Sequence, residues 1–319
     1  MATLHFPPTI DSTILANFRS CPQKAFRQYF QHWKPKNESV HLVAGGAYAK
    51  GLEVARRAFY EDKRPPDECE ALGIGALIQA YGNFECPPDS AKSLERTAGA
   101  LEFYFDQYPL GIDNAIPITW GDGRRGIEFS FAEPLSIFHP ETGDPILYTG
   151  RSDMVVDFAG GVYIEDDKTA SSLGASWSKQ WEHRSQFTGY CWGARRIGIP
   201  AQGVLVRGVS ILKTKYDTQQ CVSNRAPWEV DRWLVQVERD VLRMIECWKQ
   251  YSTIGDAAFD YNLDHACAEY GGCAFTQICK SPTPEDWLPM YFEPRVWDPL
   301  ARQETSVEEY NSKWFEEKA

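Results

Sequence analysis

A chain of 319 residues, 43% hydrophobic and 24% charged, can bury a sizeable core, which excludes a disordered protein. Its net charge of −11, from 33 Lys+Arg against 44 Asp+Glu, argues against coating nucleic acid by bulk attraction. That charge leaves room for a local basic groove or for carboxylates that carry metal. No apolar run approaches the roughly 20 residues of a membrane helix, and the start, MATLHFPPTIDS, lacks the layout of a signal peptide. A soluble, cytoplasmic protein without a membrane partner is expected, and its cysteines, 9 in number, do not suggest a disulfide framework.

Residues 11–33 open with Asp and Ser capping candidates and continue with apolar residues at helical spacing, interrupted near Pro22. The wider segment 11–36 sets Arg19, Lys24, Arg27, Lys34 and Lys36 among Phe18, Phe26, Tyr29, Phe30 and Trp33. Such a face can contact phosphates and stack on bases, or its rings can be core and its charges solvated. Residues 46–60 and 88–107 read as helices. Residues 118–138 and 145–169 alternate apolar and polar residues between Gly and Pro punctuation, as strands do. A helix over 180–196, a strand over 203–212 and a long amphipathic helix over 227–252 follow. The expected fold is α/β, one domain over 1–319: a helical part (1–110), a sheet core (111–215) and a C-terminal helical part (216–319).

The informative stretch is GRSDMVVDFAGGVYIEDDKTASS. Gly160-Gly161 between β-prone runs predicts a two-residue hairpin turn, with Ala159 facing Val162, Asp153 facing Lys168 and Val155 facing Asp166. Side chains alternate along a strand, so Asp153, Asp166 and Lys168 share a face with Val155 and Ile164. Asp157 falls on it too, nearer the turn. Asp153 and Asp166 become diagonal neighbours about 7–8 Å apart, close enough to share one hard cation with oxygen bonds of about 2.1 Å. A lysine beside them can orient water or stabilise developing negative charge. The plainer alternative is a solvated hairpin face.

Asp153 followed by Asp166-Asp167-Lys168-Thr169 resembles the core signature of the PD-(D/E)XK nuclease superfamily, and the ending and downstream helix resemble its RecB-like branch, particularly phage-encoded and CRISPR-associated exonucleases. In RSQFTGYCWGAR, Gln186 and Tyr190 match that branch's Gln-x-x-x-Tyr motif, which contacts the active site and DNA. The resemblance implies a mixed β-sheet nuclease core flanked by helices. It also implies Mg²⁺ or Mn²⁺ on Asp153, Asp166 and the Asp167 carbonyl, with Lys168, Gln186 and Tyr190 completing the catalytic set.

DHACAEYGGCAFTQICKSP spaces Cys267, Cys273 and Cys279 evenly around Gly271-Gly272, without the paired knuckles of a zinc ribbon. Cys21, in FRSCPQKAF, is the candidate fourth thiolate for a zinc or iron–sulfur site. Several RecB-like nucleases hold a [4Fe–4S] cluster on one cysteine before the core and three after it, and this arrangement is similar. The resemblance therefore implies N- and C-terminal helical extensions joined by a cysteine cluster, with zinc as the alternative. Cys69, Cys86, Cys191, Cys221 and Cys247 read as ordinary thiols.

The family's early-helix histidine, in Gly-x-x-x-His, is replaced here: AGGAYAKGLEVARRAF puts Ala49 there, or Lys50 with a shift of one. Glu53, one turn on, can substitute as ligand or pair with Arg56 or Arg57. His5, His32, His41, His139, His183 and His265 show no ligand spacing. Arg124-Arg125 and Arg195-Arg196 are further candidates for phosphate contact. The resemblance implies a metal-dependent deoxyribonuclease, an exonuclease acting on DNA ends or single-stranded stretches in phage replication or recombination, with a replication or recombination protein as a candidate partner. The alternative is a DNA-binding scaffold that keeps the fold and cluster but not the cleavage.

Overall fold

The computed structural model describes residues 4–262, 266–268 and 272–300; His265, Gly271 and the tail from 301 lie outside them. In chain order the elements are β1 (Thr9–Asp11), α1 (Ser12–Ser20), α2 (Pro22–Ala25) running into a π turn (Phe26–Phe30), β2 (Trp33–Pro35), α3 (Val40–Tyr60), α4 (Pro66–Tyr81), α5 (Leu94–Gln107), β3 (Ile116–Pro117), β4 (Ile127–Phe138), β5 (Pro145–Phe158), β6 (Gly161–Ala170), α6 (Ala175–Lys179), α7 (Ser185–Arg196), β7 (Gly203–Ile211), β8 (Tyr216–Asn224), α8 (Pro227–Ile254), α9 (Thr276–Cys279), α10 (Pro284–Tyr291) and β9 (Phe292–Pro294). This is the expected α/β order, with helices before and after a mixed parallel and antiparallel sheet. None of the described helices is long and apolar enough to cross a membrane.

The two longest elements that escape the periodicity are α4 and β8. Helix α4 is weakly amphipathic because Gly73 occupies its buried face while Leu72 and Ile78 are exposed on the other. Gly73 lets α3 and α4 approach until a Cβ on Gly51 would lie 2.9 Å from the Gly73 carbonyl oxygen. Strand β8 is mostly polar and half-buried, so it lacks the alternation that marked the others. The helix expected over 88–107 starts at Leu94, where Ser93 Oγ accepts a hydrogen bond from Arg96 N at 3.2 Å.

The described residues form two compact units interleaved along the chain: one from 38–131 and 151–230, the other from 4–37, 132–150 and 231–300. In the first, the hairpin unit, β5 pairs antiparallel with β6, β6 parallel with β7, and β7 antiparallel with β8. The parallel pair needs a crossover, and α6 and α7 supply it. Every residue of β7 is buried, as expected of a strand covered on both faces. On one face Val209 and Ile211 join the apolar core of α3, α4 and α5. On the other, Gly208 makes room for Trp177 of α6, whose ring would lie 2.3 Å from a Cβ there.

The hairpin register corrects the expected one. Its turn residues are Ala159 and Gly160, at φ of 50° and 78°, so Phe158 faces Gly161 and Val155 faces Ile164. Gly161 serves another need, since a Cβ there would meet Gln202 Oε1 at 2.6 Å. The expected pairs Asp153–Lys168 and Val155–Asp166 are therefore displaced by two residues. An even displacement leaves every side chain on its own face. Continued one step beyond Met154–Glu165, the observed register sets Asp153 directly opposite Asp166 rather than diagonal to it.

In the second, the cysteine unit, Asp11 caps α1 by accepting from Ile14 N at 2.7 Å, and Arg19 of α1 pairs with the buried Asp240 of α8 at 2.7 Å. The rings of Phe18, Phe26, Tyr29 and Phe30 are buried, and Phe26 stacks on Phe259 at 4.3 Å. Of the alternatives for segment 11–36, its aromatics are core. β2 pairs antiparallel with β9 beside a small core of Phe275, Ile278, Leu288 and Phe292.

Candidate active site

Strand β6 carries Glu165, Asp166, Asp167 and Lys168 in succession, and strand alternation sends them to opposite faces. Asp166 is 2% exposed and ion-paired with Lys168. Across the hairpin, Asp153 Oδ2 accepts from the Asp167 backbone N–H at 2.6 Å, so its carboxylate reaches across to β6 where the ladder ends. Burial, joined by the Asp153 charge and opposed by Lys168, pushes the Asp166 carboxyl up to about 7. Burial raises Asp153 as well. Burial works against the Lys168 charge, but Asp166 and Asp153 outweigh it and hold the ammonium above its ordinary value.

One buried and one half-buried acid, both held reluctant to ionise, form a donor set that a divalent cation would relieve. Among the described residues no group of three or more His, Cys, Asp or Glu side chains is gathered around a metal position. The hairpin thus offers two carboxylates, and Asp167 can add only its backbone carbonyl. Its side chain is engaged on the other face.

That engagement is a buried ionic network absent from the sequence reasoning. Arg56 of α3 donates to Asp167 Oδ2 at 2.7 Å, to Glu165 Oε1 at 2.8 Å and to the Tyr104 hydroxyl at 2.7 Å. Arg207 of β7 meets Asp113 at 2.6 and 2.7 Å and Glu165 at 3.6 Å. Burial pushes Glu165 up to about 8 despite both arginines. One signal could have been read: Arg207 is a lone charge within GVLVRGVSIL, and a charge in a fully apolar strand needs a buried partner.

Helix α7 covers the Asp166 face. The Lys168 ammonium lies 5.9 Å from the centroid of the Phe187 ring, a contact that the sequence reasoning also missed. Gln186 and Tyr190 lie at i and i+4, and Gln186 Nε2 donates to the Tyr190 hydroxyl at 2.8 Å. Gln186 is half-buried, Tyr190 is buried, and its ring lies 6.1 Å from Phe187. Beside Lys168 in register is Gly208, whose missing side chain admits Trp177 as the neighbouring wall.

Ala49 sits half-buried on α3 and offers no ligand atom. Glu53 is buried rather than a surface carboxylate, and it binds Lys50 at 2.8 Å and Arg57 at 3.1 Å. Burial opposes its charge, but these two cations prevail and hold its carboxyl below the ordinary range. Arg124 is paired with Asp122, and Arg195 donates to the Ala201 and Arg225 carbonyl oxygens, so both are committed within the fold.

In the cysteine unit, Cys21 is buried, Cys273 and Cys279 are half-buried and Cys267 is exposed. Cys273 N donates to Cys267 O at 3.0 Å. Burial raises the Cys279 thiol, and the negative forms of Cys273, Cys21 and Cys267 add to that rise. Among the described residues, which include these four cysteines, no three are gathered around a metal position; soft thiolates would suit iron or zinc.

A model of the PD-(D/E)XK nuclease superfamily matches residues 12–280. No curated protein matches the chain. Among solved structures it is similar to one titled "Crystal structure of SSO0001", at 14% identity over 81% of this chain and 91% of that one, with a TM-score of 0.30. The family match spans most of the sequence and includes the acids and lysine of the hairpin: the chain belongs to the PD-(D/E)XK nuclease superfamily.

Proposed function

We propose that this chain is a metal-dependent deoxyribonuclease of the RecB-like, phage-type or CRISPR-associated exonuclease kind, which trims DNA ends in replication or recombination and works as one nuclease domain. The observation that carries this reading is the hairpin: Asp153 opposite Asp166 in the continued register, and Lys168 ion-paired to Asp166 on the same face. Superfamily members are typically metal-dependent nucleases, and a nuclease fold implies DNA as substrate.

Asp153, Asp166 and the Asp167 carbonyl would hold Mg²⁺ or Mn²⁺, which when bound supplies an activated water and neutralises phosphate charge. Lys168 holds the nucleophile and stabilises the negative charge that develops on phosphorus oxygens. Gln186 and Tyr190, bonded to each other on α7, orient the strand to be cut. In the cysteine unit, Cys21, Cys267, Cys273 and Cys279 would hold a [4Fe–4S] cluster that ties the N-terminal segment to the C-terminal one. That role is structural, and its support is the sequence pattern of Cys21-Pro22 before the core and three evenly spaced cysteines after it.

The test is cleavage of linear and closed-circular DNA with Mg²⁺ or Mn²⁺. Linear DNA should shorten while circles survive, and Asp166→Asn should bind DNA but cut neither. Ala49, where the family carries a ligand histidine, motivates the second reading of a non-cleaving DNA-binding scaffold. DNA binding by the wild type without any cutting would select it.

A further inference from the structure

Lys92, in the loop before α5, takes no part in the arrangement described so far. It is 4% exposed, and its ammonium donates to the Thr169 hydroxyl at 3.0 Å. Among the described residues no carboxylate pairs with it. Burial alone displaces its ammonium, downward from the ordinary lysine range, with no counter-charge to restore it. A buried cation whose partner is a neutral hydroxyl is unfavourable unless an anion completes its surroundings.

The surroundings suit one class of anion. Thr169 immediately follows Lys168 on β6, so the Lys92–Thr169 pair stands at the end of the catalytic strand. The exposed His41, on the first turn of α3, is close enough for the Lys92 charge, after burial, to depress its imidazole. One turn on in α3, a Cβ on Gly45 would lie 3.6 Å from Thr169 Oγ1, while a Cβ on the exposed Gly46 would meet nothing within 4 Å. A cation, a hydroxyl and an imidazole thus lie beside open glycine backbone. That combination accepts a phosphate group whose sugar and base lie in solvent.

We propose that Lys92, with Thr169 and His41, forms a phosphate-binding subsite for the DNA strand at the end of β6. It lies one residue beyond Lys168 and on the α3 face of β6, opposite the face of Asp153, Asp166 and Lys168. The proposal rests on the nuclease reading for the identity of the ligand. A phosphodiester seated there would fix the strand's position relative to Lys168 without touching the reacting atoms. Lys92 is therefore a strand-binding residue and not a catalytic one.

The test measures binding without cutting, by fluorescence anisotropy of a labelled single-stranded 30-mer and its duplex in Ca²⁺, with wild type and Lys92→Met. The variant should bind about tenfold more weakly, and its log–log salt slope should fall by about one, the mark of one lost phosphate contact. Inorganic phosphate should raise the wild-type melting temperature over chloride at matched ionic strength, and should not raise that of Lys92→Met. Removing a buried cation that lacks a counter-ion should leave the melting temperature of the variant without phosphate at or above wild type. Unchanged affinity and slope, or a large fall in melting temperature without a change in binding, would make the bond to Thr169 purely structural and overturn the subsite. Wild type that binds DNA through Lys92 but never cuts would sink the nuclease reading and leave the subsite standing. Wild type that neither binds DNA nor responds to phosphate would sink the subsite.

Discussion

Replacing Arg56 with methionine tests whether the network behind the hairpin holds β6 in place. Arg56 is 3% exposed, and its guanidinium donates to Asp167, Glu165 and the Tyr104 hydroxyl at 2.7–2.8 Å. Methionine fills much of the space but removes the cation, so Arg207 would be left to face Glu165, Asp167 and Asp113. Removing one partner from a buried ionic group costs about 3–5 kcal/mol, a fall in melting temperature of roughly 6–20 °C for a unit of this size. The effect should depend on pH. Glu165 sits at about 8 in the fold against an ordinary 4.5, so its contribution to stability is fully present below about 4.5 and is lost as pH rises through about 8. Without Arg56 its ionised form has less compensation, and the deficit of the variant should grow between pH 6 and pH 9. Calorimetry or urea melts at those two pH values measure this. A variant that melts within about 2 °C of wild type at both, or with the same deficit at both, would falsify the assignment of Arg56 as the counter-charge of β6.

Three further outcomes are expected. Metal needs the ionised carboxylate, and Asp166 lies at about 7; apparent Mn²⁺ or Ca²⁺ affinity should therefore rise about tenfold from pH 6 to pH 8 and then level off, and a flat titration would contradict that assignment. Lys168→Ala should bind metal nearly as wild type, by calorimetry, but turn over no DNA; equal loss of both would mean that the lysine is a structural partner of Asp166. Protein purified without oxygen should be brown and carry about four irons per chain, and Cys273→Ser should lose the colour and melt lower, whereas colourless protein with one zinc would keep the cysteine site and discard the cluster.

What the sequence made legible follows from the range of each interaction. Strand alternation is local, so the common face of Asp153, Asp166 and Lys168 could be read directly, and an error in register left it intact because the error was even. The register itself could not be read from turn residues alone. Ala159 takes the left-handed position that glycine usually fills, and Gly161 is glycine because Gln202 crowds it. The buried network lay beyond reach for another reason: Arg56, Asp113, Glu165 and Arg207 meet only once α3 and β7 have been placed against β6. Yet four consecutive charged residues within a sheet interior already posed the question. Asp166 and Lys168 balance each other on one face, whereas Glu165 and Asp167 share a face with no cation of their own strand, so two cations had to come from elsewhere in the chain. The same division explains how the face of Asp153 and Asp166 keeps its acids reluctant to ionise: the arginines serve the opposite face, Lys168 only partly offsets the burial of the two acids, and the charge still lacking is what the proposed cation would supply.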